Sequence, residues 1–134
     1  MKDIVIKKLK PQFTTVITTL NCYEEDYVMD GLIMAPKGTL KLYQRVISVG
    51  ENVKNIHEGD LVLLNLTNYI ERKFKENSLK EDMEQMEDVI RYNFPKLIID
   101  GHLYGKFQDR DIEGVIEEFE EIEVQTSTLD NKLL

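Results

Sequence analysis

Cysteine and long apolar runs are scarce in this sequence. Its single cysteine, Cys22, excludes an intramolecular disulfide and a cysteine-rich zinc site, and it fits a reducing compartment. No segment approaches the roughly 20 apolar residues of a membrane span, and the N-terminal "MKDIVIKKLK" lacks the apolar core of a secretion signal. We therefore expect a cytoplasmic protein without a membrane partner.

Basic charge is also scarce. The chain has 17 Lys and Arg against 25 Asp and Glu, which gives a formal net charge of -8. A nucleic-acid-binding protein needs a basic face that neutralises phosphates. A local basic patch at 72–75 is the alternative, but the overall charge predicts no nucleic-acid partner.

Catalytic motifs are missing too. The chain has no G-x-S-x-G, no P-loop and no dinucleotide-binding glycine run. His57 and His102 lie far apart without ligand-like spacing, and a lone cysteine such as Cys22 is more often inert packing than a nucleophile. The carboxylates of 113–123 form a solvated acidic face in the simplest interpretation. We predict no enzyme, no metal site and no cofactor.

Short segments rich in β-branched and aromatic residues recur at intervals of about ten residues and favour strands. Asp100-Gly101 is the strongest hairpin turn signal. At 134 residues the chain predicts one domain. The pattern favours an all-β fold, a small barrel or sandwich. The predicted strands are 11–20, 43–49, 61–66, 69–75, 89–94, 96–100 and 102–107.

Residues 76–88 have two interpretations. Ser78 and Glu81 have the spacing of a capping box, and Leu79 and Met83 begin one face of a helix. The same segment is also typical of a solvated excursion with little structure. Both interpretations stay open at this point.

Residues 109–123 are equally ambiguous. Apolar side chains at 112, 115, 116 and 119 have helical spacing, and Asp109 or Asp111 is a candidate cap. Gly114 weakens a long helix by about 1 kcal/mol relative to alanine, so a short turn followed by a strand fits as well. The final residues, 124–134, have no periodic pattern and are predicted to form a flexible tail.

The segment 21–41 has no period of 2 or 3.6 and is predicted to be a long connection. Loops longer than about 12–15 residues in a compact domain are usually functional or disordered. This one contains an apolar triplet, Leu32, Ile33 and Met34, directly after Gly31. An apolar run inside an acidic connection has to be explained by a partner or by packing onto the domain itself.

Four segments, taken in order, carry a resemblance. They are "LKPQFTTVIT" (9–18), "DGLIMAP" (30–36), "QRVISVGENV…IHEGDLVLLN" (44–65) and "FQDRDIEGVIEE" (107–118). They resemble the first strand, the mobile loop, the central signature and the terminal segment of the GroES (chaperonin-10) co-chaperonin family. The matched parts span roughly 9–66 and 96–119.

The resemblance implies a small GroES-like β-barrel over 1–123, with a mobile-type loop at 21–41 and an insertion at 67–94. It also implies a homo-oligomer in the form of a seven-membered ring. Gly31, Leu32, Ile33 and Met34 would form the site that docks into a groove on the apical domain of a chaperonin. The ring would cap the folding chamber, and the ATPase would be on the partner.

The chain also departs from the family pattern. Thr14-Thr15 replace an Asp-Arg pair, Asp30 replaces a glycine, and the roof hairpin is shortened to "ENVKNIH". Some bacteriophage co-chaperonins depart similarly, which favours a phage source and the host cytoplasm as location.

Two alternatives remain open. A structural or auxiliary capsid protein with the same fold would instead bind phage capsid proteins and lie in the virion. The triplet also has an alternative, which is to fold back onto the barrel as a short strand or plug.

Overall fold

The structure, a computed structural model, describes residues 1–74 and 88–123. Within these ranges the chain forms strands and two three-residue 3-10 helices, Thr67–Tyr69 and Asp109–Asp111, and it forms no α-helix. The predicted all-β fold is therefore confirmed. The strands are β1 (Thr15–Thr18), β2 (Tyr27–Met29), β3 (Leu32–Ala35), β4 (Tyr43–Val49), β5 (Leu61–Leu64), β6 (Ile70–Phe74), β7 (Asp88–Tyr92), β8 (Lys96–Ile99), β9 (His102–Gln108) and β10 (Ile112–Val115).

Six of these strands form one sheet in the order β10-β5-β4-β1-β9-β8, and every neighbouring pair is antiparallel. Register shifts interrupt the β1–β4 and β10–β5 pairs, and such bulges bend a sheet around its core. β10 and β8 are the two edges, so the described strands make an open sheet. The described strands do not close into the predicted small barrel, because β8 and β10 do not pair with each other.

Two ribbons stand apart from this sheet in the strand pairing. β2 pairs with β3, and β6 pairs with β7 over five residue pairs. The predicted insertion at 67–94 therefore contains a 3-10 turn and a two-stranded ribbon. The helix or excursion predicted at 76–88 lies, apart from Asp88, outside the described residues, as does the predicted tail at 124–134.

The core lies where side chains of the six-stranded sheet meet Ile56, Leu66 and Phe94 from the connections. Phe107 on β9 is fully buried, and its ring centroid lies 5.1 Å from that of Phe94 and 6.1 Å from that of Tyr69. Aromatic rings at such distances and tilts add packing energy beyond their buried area. The other buried members of the core cluster are Val16, Val46, Val62 and Leu64.

Strand β1 differs from its predicted form. It spans only Thr15–Thr18 because Phe13 takes a φ of 55° and Thr15 N donates to Gln12 O at 3.2 Å, which closes a turn. Gly50 lies against this turn, where an added Cβ would be 2.3 Å from Phe13 O. Val16 belongs to the core cluster, and Ile17 on the other face of β1 is equally buried.

The other predicted strands agree closely with the structure. Residues 43–49 form β4 as predicted, whereas the predicted strand 61–66 ends at Leu64. At 109–123 the turn-and-strand alternative is correct and the helix is not, because β10 pairs with β5. Asp111 caps the preceding 3-10 turn in a capping box with Gln108. The part of the chain that the structure describes has no helix that is long and apolar enough to cross a membrane.

Candidate functional site

Residues 21–41 form an antiparallel hairpin, which we call the arm. At its root Lys41 N donates to Asn21 O at 3.0 Å, and one step outward Tyr23 N donates to Thr39 O at 2.9 Å. β2 and β3 continue the hairpin toward its tip. The predicted long connection at 21–41 is therefore not an irregular loop but a hydrogen-bonded ribbon.

The tip of the arm is a two-residue turn. Asp30 and Gly31 have φ values of 53° and 79°, and Met29 pairs with Leu32 across the turn. Positive φ at both central residues is the mark of a type I′ hairpin turn, for which Asp-Gly is a preferred sequence. Gly31 thus has a structural role at the tip.

A second turn, at 36–39, separates the tip from the stem, which is the part of the arm next to the sheet (21–27 and 39–41). Thr39 N donates to Pro36 O at 3.0 Å, and Gly38 takes a φ of +89°. Lys37 N donates a hydrogen bond to Asp26 Oδ1 at 2.7 Å. These contacts hold the returning half of the arm in a defined bend, so the tip is carried by a structured base.

The apolar triplet lies on β3, just after the tip turn. Leu32, Ile33 and Met34 are 67%, 55% and 57% exposed. Leu32 pairs with Met29 and Ile33 pairs with Val28, and because successive side chains on a strand alternate, these two pairs lie on opposite faces of the ribbon. The tip therefore presents apolar side chains on both faces.

The structure brings together the four residues that we predicted to form the site. Gly31 makes the turn, and Leu32, Ile33 and Met34 follow it on one strand. The alternative was that the triplet folds back onto the barrel as a short strand or plug. The triplet does form a strand, β3. None of them belongs to the core cluster, and all three stay exposed.

Aromatic side chains brace the stem. The rings of Tyr23 and Tyr27 have centroids 5.8 Å apart. Lys41 Nζ lies 5.3 Å from the ring centroid of Tyr23 and 5.6 Å from that of Tyr43 on β4. Burial raises the pKa of Tyr23 above its ordinary value of 10.0, and the neighbouring tyrosines Tyr43 and Tyr27 act in the same direction. The cation–π contacts of Lys41 with Tyr23 and Tyr43 link the stem to the six-stranded sheet.

The residues considered for catalysis do not converge. His57 Nδ1 lies 3.8 Å from Asp60 Oδ2, in the connection before β5. His102 is on β9, where its ring lies edge-on to that of Tyr104. Cys22 is exposed, so the interpretation of a lone cysteine as inert packing does not describe its position. Among residues 1–74 and 88–123, no three His, Cys, Asp or Glu side chains are grouped so that they could hold a metal ion.

An open cleft of about 280 Å³ lies beside the root of the arm. Leu42, which directly follows the arm, lines it together with Ile70 and Tyr92, and Asn65 and Glu113 supply polar groups. The arm remains the feature that stands out.

Comparison of the chain with models of protein families, with curated proteins and with solved structures found no match. Sequence reasoning missed two residues of the site, Asp30 as a turn residue and Gln44 at the arm's root. The Asp-Gly dipeptide signals the first, and a polar residue on the buried side of strand 43–49 signals the second.

Proposed function

We propose that the protein is co-chaperonin-like: it docks the apolar triplet of its arm into an apolar groove on the apical domain of a chaperonin and caps the folding chamber. The observation that carries this proposal is the exposure of Leu32, Ile33 and Met34 at the end of a built hairpin. In this role the protein is no enzyme itself and acts in the cytoplasm of its host.

The energetics support reversible docking. Burying a side chain of this size contributes about 1.5–3 kcal/mol. Ordering a flexible loop costs about 1–2 kcal/mol for each residue that becomes fixed. The arm already has its backbone hydrogen bonds and its turn in place, so less ordering remains to be done on binding.

The two apolar faces of the tip favour a groove over a flat surface. A flat partner would cover only the Met29–Leu32 face or only the Val28–Ile33 face of the ribbon. A groove with two walls removes both faces from water. Several arms in one ring would add through effective concentration, which turns weak single contacts into stable yet reversible capping.

The matched control for this proposal is the other Asp-Gly hairpin, β8–β9. Ile98 there is 57% exposed, close to the 55% of Ile33, and it also lies two residues from its turn. Ile33→Asp and Ile98→Asp therefore introduce the same charge at similarly exposed strand positions. Only the first change lies in the proposed docking site.

We expect an immobilised bacterial chaperonin to capture the native protein and the Ile98→Asp variant in the presence of ADP or ATP. Capture of Ile33→Asp should fall to the background level, because a desolvated carboxylate opposes docking. Native mass spectrometry of the same samples should show a ring. A protein that stays monomeric and ignores chaperonins, or equal losses in both variants, would contradict the proposal.

The alternative role, an auxiliary capsid protein of a bacteriophage, would use the same exposed triplet against phage capsid proteins. It predicts stoichiometric copies of the chain in purified particles of the phage that carries the gene. Mass spectrometry of those particles separates the two roles. Copies in the virion together with no chaperonin capture would favour the structural role.

A further inference from the structure

A buried amide lies at the root of the arm. Gln44 is on β4 and is 1% exposed, and by strand alternation it shares a face with the core residue Val46. A buried polar side chain costs free energy unless its hydrogen bonds are made. The partners of Gln44 therefore decide what it contributes.

The Gln44 amide makes four hydrogen bonds. Its Oε1 accepts from Thr19 Oγ1 at 2.8 Å and from Asn21 N at 2.8 Å. Its Nε2 donates to Asn21 O at 2.9 Å and to Lys41 O at 2.7 Å. Two acceptor sites and two donor hydrogens are all that a glutamine amide offers, so each is used.

These partners are the two ends of the arm. Asn21 is its first residue and Lys41 its last, and they also bond to each other through the Lys41 N to Asn21 O hydrogen bond of 3.0 Å. One side chain of the sheet thus bonds both arm ends at once. Thr19 extends the network, since its Oγ1 accepts from Arg45 N at 3.0 Å.

We propose that Gln44 is a positioning residue that holds the arm at a fixed direction relative to the six-stranded sheet. A fixed direction lets several copies of the apolar triplet meet their grooves together. The role in docking rests on the proposed function, whereas the effect on the arm itself does not.

A purely packing role fits the geometry poorly. The buried face of β4 could be filled by an apolar residue, which needs no hydrogen-bond partners. A fully satisfied buried network instead specifies one arrangement of the segments that it joins. Every buried side-chain nitrogen and oxygen of the described residues has a hydrogen-bond partner, including both polar atoms of the Gln44 amide.

The first test is Gln44→Met, which keeps an unbranched chain of the same length and removes all four hydrogen bonds. Amide exchange at Asn21 should become faster by at least about tenfold. Backbone order parameters at Ile33 should fall from about 0.85, the rigid value, to below about 0.6, while those in β9 stay unchanged. Binding to an immobilised chaperonin should weaken by about tenfold.

Tyr69→Phe is the matched control. It removes a partly buried side-chain hydrogen bond, Tyr69 Oη to Asp111 Oδ2 at 2.7 Å, outside the arm. A general loss of stability would act similarly in both variants. We expect Tyr69→Phe to leave the arm's order parameters and the chaperonin affinity unchanged within about twofold.

Thr19→Val serves if Gln44→Met does not fold. It removes one partner of the amide and keeps a β-branched residue, and it should produce a smaller change in the same direction. An arm that stays rigid in these variants would overturn the positioning role. If the arm of Gln44→Met stays rigid and the chaperonin still captures the variant, only the positioning role is overturned and the proposed function stands. If the chaperonin does not capture the native protein but the arm of Gln44→Met is loosened, only the proposed function is overturned.

Discussion

Two hairpins of the molecule have the same Asp-Gly turn, but only one of them is part of the six-stranded sheet. Asp30-Gly31 has φ values of 53° and 79°, and Asp100-Gly101 has values of 49° and 83°. The second hairpin, β8–β9, joins the six-stranded sheet because β9 pairs with β1. Among the described strands, β2 and β3 of the arm pair only with each other. The turn sequence determines that a hairpin forms, and the neighbouring strands determine whether it becomes part of a sheet.

Exposed apolar side chains do not distinguish the two hairpins. Ile98 and Leu103 form a cross-strand pair at 57% and 51% exposure, comparable with Leu32 and Ile33 on the arm. What differs lies beneath them: β9 also carries the buried Phe107, whereas the tip of the arm adds nothing to the core cluster. Because Leu32, Ile33 and Met34 lie outside the core cluster, the tip can be altered or docked with little effect on the fold.

The largest expected effect comes from removing that buried ring. Phe107→Ala should lower the free energy of unfolding by about 3–5 kcal/mol, because it leaves a cavity against Phe94 and Tyr69. Leu32→Ala on the arm should change it by less than about 0.5 kcal/mol. Urea unfolding measures both. A large loss in the arm variant would mean that the triplet packs onto the domain.

The two turn glycines give an intermediate effect. Gly101→Ala should lower the free energy of unfolding by about 1–2 kcal/mol, since alanine disfavours a φ of +83° and nothing lies within 4 Å to clash. Gly31→Ala should have the same local cost at a φ of +79°. It should appear as faster amide exchange in β2 and β3, with global unfolding almost unchanged. Equal losses of global stability would end the distinction between the hairpins.

The smallest expected effect on stability comes from Tyr69, whose ring packs against that of Phe107 on β9. Burial raises the pKa of Tyr69 from 10.0 to about 12, and its hydrogen bond to Asp111 acts in the same direction. The folded protein thus holds the phenolic proton more tightly than the unfolded chain does. This contribution to stability is complete below pH 10 and is lost as the pH rises from 10 to about 12.

Tyr69→Phe should lower the free energy of unfolding by about 1 kcal/mol at neutral pH, because Asp111 loses a donor. The difference in stability between the native protein and this variant should shrink between pH 10 and about pH 12. Urea unfolding at several pH values measures it. A constant difference across that range would contradict the assigned pKa, and exchange in the arm should not respond.

Much of the sheet is predictable from local pattern. The segment 43–49 has bounds that match β4, and Asp100-Gly101 makes the turn that its sequence indicates. The arm's hairpin was not predicted, although it has the same dipeptide. A register shift between Tyr27 and Val28 breaks the alternation, and exposure of both ribbon faces removes the apolar–polar contrast that reveals a strand.

The sequence by itself determined the turns, most strands and the apolar triplet, because these depend on φ preferences and on the chemistry of neighbouring residues. Only the tertiary structure decided that β1 is buried on both faces and that β10 takes residues 112–115 as a strand. It also decided that Gln44 joins the two ends of the arm. Those outcomes depend on contacts between residues far apart in the chain, which local patterns do not encode.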